Sequence, residues 1–231
     1  MTVVLSIVCA DGLVMASDSQ ITDSARGMSY PGQKLHELGA TAAWGGSGAR
    51  SVLLDLERIF AASAAAILEG EDVGRELQER VIPVLKHHYE NFIVDVPGEE
   101  TQGTPSAYVL AAGYSHGEPF VVEINPNGMV SHYEDVGFHA VGSGAAMAQQ
   151  AGALLAHFDM TERSADYGVV AAVRTLDALA RTSPSVGDEI DVCRIRPEEA
   201  HHLDADEVAD VRKLVARWGE AEQRALDELL D

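Results

Sequence analysis

Thr2 stands directly behind Met1 in the opening stretch MTVVLSIVCADGLVMASDSQ, and a first-residue threonine offers a chemistry that an internal one cannot. Its hydroxyl is a poor nucleophile at neutral pH, but an α-amine of reference pKa near ~7.7–8.0 can serve as its general base. Met1 followed by so small a residue is the kind of N-terminus that methionine removal exposes, so the mature chain is expected to begin at Thr2. Further residues join it by position. Asp18 lies in an ASDS box, Lys34 opens KLHEL, and two small-residue turns, GGSG at 45–48 and VGSG at 141–144, each lead into a helical pattern. Asp11-Gly12 between two β-rich runs is a hairpin signal, and antiparallel pairing then returns the segment Asp18 to Ile21 to within a few residues of Thr2.

The elements that must position these residues follow from periodicity. Residues 2–9, 13–17, 34–38 and 40–45 read as four consecutive strands. The first is apolar on both faces except Ser6, so its sheet needs cover on both sides. Helical spacing then takes over through Val52, Leu53, Leu56, Ile59 and Phe60, with Gly70 as a stop, and again over 72–93 through Val73, Leu77, Val81, Leu85 and Tyr89, with Pro83 as a kink point. Both helices are expected to pack on one side of that first sheet. SAYVLAAGY, PFVVEINP, GMVSHYE and FHAVGSG form a second strand set, followed by helices at 144–158 and 162–181, a strand at 190–195 and an acidic helix at 204–230. This order predicts an α+β fold, a four-layer αββα sandwich of two stacked antiparallel sheets flanked by helices. It is expected as one domain over 1–196, with 197–231 as an acidic helical extension that packs back on its own subunit or contacts a neighbour.

The 231 residues carry 16 Lys+Arg against 37 Asp+Glu, a formal net charge of -21. Such a surface repels phosphate backbones and anionic headgroups, which argues against nucleic acid and membrane partners. No basic leader precedes the first apolar run and no apolar run reaches ~18 residues. Cys9 and Cys193 lie far apart in apolar segments, as buried reduced thiols would. Together these features predict a cytoplasmic protein. His87-His88 and His201-His202 have no companion ligand at metal spacing and read as solvated surface.

With those residues in order, the sequence resembles the proteasome β-subunit family and its bacterial relative HslV, both N-terminal-nucleophile hydrolases. The resemblance covers most of residues 2–195 and rests on the spacing of Thr2, Asp18 and Lys34, the G-G-x-x-A-x stretch at 45–50 and the AVGSG at 140–144. It implies a threonine-type peptidase in which Thr2 is nucleophile and base, Lys34 and Asp18 tune charge, Gly46 donates to the oxyanion and Ser143 relays a proton. Read without the family, Lys34–Asp18 is equally an ordinary strand-edge ion pair and Ser143 a helix N-cap. The resemblance also implies a substrate pocket walled by Ile21, Trp44 and Gly48. There the large Trp44 ring favours small apolar residues, although Trp44 reads equally as core. A homo-oligomeric ring, a peptide or unfolded-protein substrate and an ATPase unfoldase complete the implication, with no cofactor and no metal. One departure stands out: ARTSPSVGDEID places Thr182 where the family has a supporting Asp, with Ser185 at the family's serine and Asp188 out of register. That loop favours a second reading, a ring-forming scaffold with weak or no hydrolysis; a small-molecule amidase on the same fold is a third.

Overall fold

In the computed structural model, residues 2–23, 28–94, 97, 103–183 and 186–231 are described. Met1 and Ser185 lie outside them. β1 (Val4–Cys9) and β2 (Gly12–Asp18) form the hairpin that Asp11-Gly12 predicts, in a register that sets Val4 opposite Ser17. Their sheet continues on one side to β10 (Phe138–Val141) and on the other to β11 (Ile190–Ile195) and β12 (Ala200–His202). The second sheet runs β5 (Leu35–Glu37), β6 (Ala42–Gly48), β7 (Ala107–Ser115), β8 (Glu118–Ile124), β9 (Val130–His132). Every pairing is antiparallel.

Side-chain alternation divides the interior into three apolar layers. Val4, Leu13, Met15, Leu35, Leu110 and Val121 fill the space between the sheets. Trp44, Val109 and Ala111 point the other way, onto α1 (Arg50–Leu68) and α2 (Val73–Glu90). Leu5, Ile7, Val14 and Ala16 meet α3 (Ala145–Leu155) and α4 (Ala165–Thr182). The result is the four-layer αββα sandwich that the order of elements predicts. α5 (Ala205–Leu230), closed at its start by an Asp204–Glu207 capping box, lies along α4 of its own chain. Arg174 holds Glu222 with both guanidinium nitrogens, at 2.8 and 2.6 Å, and covers the Trp218 ring.

Two expectations are corrected. The first four strands do not share a sheet: β1 and β2 recruit β10 and β11 from far along the chain, and α1 and α2 cover the sheet of β5–β9 instead. GGSG is not a turn, because Gly45 to Gly48 continue β6 by pairing with Leu110 to Ala107. A further short pair, β3 (Gln20–Asp23) with β4 (Met28–Pro31), and the edge strand β12 have no clear periodic signal. His87 is exposed as the solvated-surface reading expects, whereas His88 is half-buried and bonds Asp55 of α1 at 2.9 Å, and His201 and His202 are half-buried in β12.

Candidate active site

The site grows from the end of β2. Asp18 is 0% exposed, and its burial is compensated by donors from three separate segments. Val3 N–H donates to Oδ1 at 2.9 Å; Gln20 N–H and Gly187 N–H donate to Oδ2 at 3.2 and 3.4 Å. Lys34 Nζ completes the set at 2.8 Å. Lys34 is 7% exposed, just ahead of β5. Burial pushes its ammonium below the ordinary lysine pKa, and the Asp18 carboxylate pulls it back up. This pair is therefore buried, unlike the strand-edge ion pair of the simpler reading.

Thr2 is gripped at both ends by the turn at 142–144. Its N–H donates to Ser143 Oγ at 2.9 Å, and its carbonyl accepts from Gly144 N–H at 3.0 Å. Gly142 permits this approach: at φ +105° a Cβ there would stand 2.3 Å from the Thr2 carbonyl oxygen. Ser143 is not the N-cap of α3, since that position is Gly144, without a side-chain cap. Its hydroxyl serves Thr2 instead.

Thr2, Lys34, Gly46 and Ser143 line one cleft of about 750 Å³, together with Ile21, Trp44 and Gly48. Asp18 stands behind Lys34. Gly46 lies beside the uncapped N-terminus of α1, whose partial positive charge favours an anion in the cleft. A Cβ at Gly46 would meet Leu53 Cδ2 at 2.4 Å, and one at Gly48, φ +138°, would meet Ser106 O at 2.1 Å. Trp44, 1% exposed, stacks on His36 at 4.8 Å and meets Phe60 edge-on, so it is core and cleft wall at once. Thr182 turns its hydroxyl onto the Ala178 and Leu179 carbonyls of its own helix, away from the supporting role the family gives that position. The same loop still reaches Asp18 through the Gly187 N–H, a contact made by backbone that residue-type reasoning misses. Gly142 and Gly144 were visible as part of the VGSG motif. His36 was not, although its place opposite Trp44 in the β5–β6 register follows once the strands are aligned.

Two histidines make this region sensitive to acid. Burial holds His36 and His202 below the ordinary imidazole pKa of 6.5, against the opposing pull of Glu57 on His36 and of Glu37 and Asp191 on His202. With folded values below unfolded ones, the unfolded chain binds more protons just under 6.5, so stability falls as pH drops through that window. Asp191, raised above 3.8 by burial, acts in the opposite sense at lower pH. The thermal midpoint is expected to fall as pH is lowered from 6.5, and His36→Gln with His202→Gln to flatten that slope in melts followed by circular dichroism. An unchanged slope would remove these histidines from the account.

Three comparisons bear on this geometry. A family model described as "Proteasome subunit" matches residues 2–195. Among solved structures, the chain is similar to an Anbu (Gly-1) mutant from Hyphomicrobium sp. strain MC1, at TM-score 0.73 and 15% identity over 100% of both chains. It is similar also to Anbu (ancestral beta-subunit) from Yersinia bercovieri, at TM-score 0.73 and 16% identity over 97% of each. A helical assembly of the Anbu complex from Pseudomonas aeruginosa gives TM-score 0.72 and 15% identity over 98% of this chain and 96% of that one. No curated protein matches. At such identities the structural likeness speaks for the fold.

Proposed function

The chain belongs to the proteasome subunit family, and from that premise we propose that it is a threonine-type peptidase whose nucleophile is Thr2 after loss of Met1. The observation that carries the reading is the Thr2 nitrogen held 2.9 Å from Ser143 Oγ, in a cleft shared with a Lys34 buried against Asp18. With Met1 gone that nitrogen is an amine. It takes the hydroxyl proton as Oγ attacks the peptide carbonyl carbon, and the Gly46 N–H receives the oxyanion. The proton passes with help from Ser143 to the leaving nitrogen, the C–N bond breaks, and a Thr2 ester remains. Water, deprotonated by the amine, then hydrolyses the ester and restores Thr2. Lys34 favours the developing alkoxide and lowers the amine's proton affinity, while Asp18 fixes Lys34.

Intact mass of the native protein before and after a peptide epoxyketone tests this. Loss of Met1 and a single adduct mapped to Thr2 are the expected results; retained Met1 with no adduct sinks the reading. In that case the scaffold reading takes its place, favoured by the Thr182 hydroxyl that is spent on its own helix.

Trp44 narrows the cleft, so small apolar residues are the proposed preference next to the scissile bond. Trp44→Leu is expected to raise kcat/KM for leucine over alanine substrates by about 10-fold, within the range a hydrophobic pocket offers per methylene. A peptide library read by mass spectrometry checks it, and an unchanged preference would leave Trp44 as core only. The helical assembly reported for the Pseudomonas aeruginosa relative supports a homo-oligomer here too. Native mass spectrometry would show it, and a monomer at micromolar concentration would refute it.

A further inference from the structure

His139 is a buried imidazole that the chemistry so far leaves unused, and it stands in the strand that leads to Ser143. It lies on β10 opposite Ser6 of β1, at 8% exposure. Val141, two residues on, faces the layer between the sheets, so the alternation of β10 sends His139 into that layer too. Val121 and Glu123 stand in the same relation on β8 of the other sheet. There His139 Nε2 meets Glu123 Oε2 at 2.6 Å, and the Tyr133 ring stacks on the imidazole at 3.5 Å, only 9° from parallel. On its other side Nδ1 lies 3.3 Å from Nε2 of Gln149, in the second turn of α3. With the Gln149 amide as donor, Nδ1 accepts, and Nε2–H donates to the Glu123 carboxylate. Both ring nitrogens are thereby satisfied, each by a different element.

The turn at 142–144 that grips Thr2 hangs between β10 and α3. His139 fastens the strand that enters this turn to the opposite sheet and, through Gln149, to the helix that leaves it. Apolar side chains in these places would hold the layers together at less desolvation cost, but without the direction that two hydrogen bonds impose. We propose that His139 is a positioning residue for the turn at 142–144, anchored by Glu123 and Gln149, and that it sets Ser143 Oγ against the Thr2 nitrogen. Its effect on rate rests on the N-terminal-nucleophile reading; its effect on the turn does not.

The grip itself can be read from amide hydrogen exchange, because the Gly144 N–H is the donor to the Thr2 carbonyl. Measured against β7 amides in the same sample, Gly144 protection is expected to fall about 10-fold or more in His139→Ala. Leu13→Ala, which opens a cavity in the same layer at the hairpin end of β2, is expected to destabilise the chain and leave that ratio unmoved. Glu123→Gln keeps an acceptor for Nε2–H and is expected to retain the protection. In turnover, His139→Ala is expected to lower kcat by about 10- to 100-fold with KM little changed, as a small misplacement of catalytic groups does. Equal ratios in His139→Ala and Leu13→Ala would make His139 a core residue only and overturn the proposal. If the wild type forms no Thr2 adduct, the peptidase reading fails alone, and the Gly144 exchange still decides this one. Should His139→Ala not fold, Gln149→Leu, which spares the bond to Glu123, must lower Gly144 protection by itself.

Discussion

Replacing Thr2 by alanine is expected to lower peptide hydrolysis by on the order of 10⁴–10⁶-fold, the scale on which loss of a nucleophile is felt in covalent proteolysis. The fold is expected to survive. Thr2 is held through its backbone, by the N–H to Ser143 and the carbonyl to Gly144, and alanine keeps both bonds. Thr2→Ser is expected to retain activity within roughly two orders of magnitude, since the hydroxyl, the amine and their geometry all remain. The measurements are single-turnover acylation by a fluorogenic peptide and the mass of the epoxyketone adduct. Undiminished turnover in Thr2→Ala would move the chemistry elsewhere, and the Thr2 mechanism would be abandoned.

The second large effect is on stability. Asp18 and Lys34 are a buried ion pair whose carboxylate also collects backbone donors from residues 3, 20 and 187. Removing one partner of such a pair strands the other, at a cost of about 3–5 kcal/mol. Lys34→Ala is expected to destabilise the chain by that amount in urea unfolding. Asp18→Ala is expected to cost at least as much, because it also removes the acceptor of the buried Val3 N–H. The double variant Asp18→Asn/Lys34→Met should recover part of the loss, since neither charge is then left alone. Additive single effects would mean that the pair is not coupled and that Lys34 is held charged by something else.

Much of the site could be read from the sequence, for a local reason. The Asp11-Gly12 hairpin fixes the register that sets Asp18 beside Thr2 and Val3, and the spacing to Lys34 follows the chain. The partition of the strands could not be read, because a strand's period says which face is buried and not which strand lies alongside. β1 pairs with β10 more than a hundred residues later, and only the collapsed chain decides that. The glycines of GGSG argue locally against a strand, but seven residues of pairing with β7 override them. Gly187 acts through its N–H, which residue type does not announce.

The grip of residues 142–144 on Thr2 has a bearing on how the chain is made. Ser143 lies 141 residues after the threonine it serves, and Gly187 of the Asp18 shell comes later still. At about 5–20 residues per second, a ribosome needs roughly 7–28 s to add that stretch. Met1 is within reach of processing long before it is complete. A Thr2 amine could thus be exposed early on a nascent chain that does not yet hold the turn to orient it, and unfinished polypeptide would emerge chemically silent.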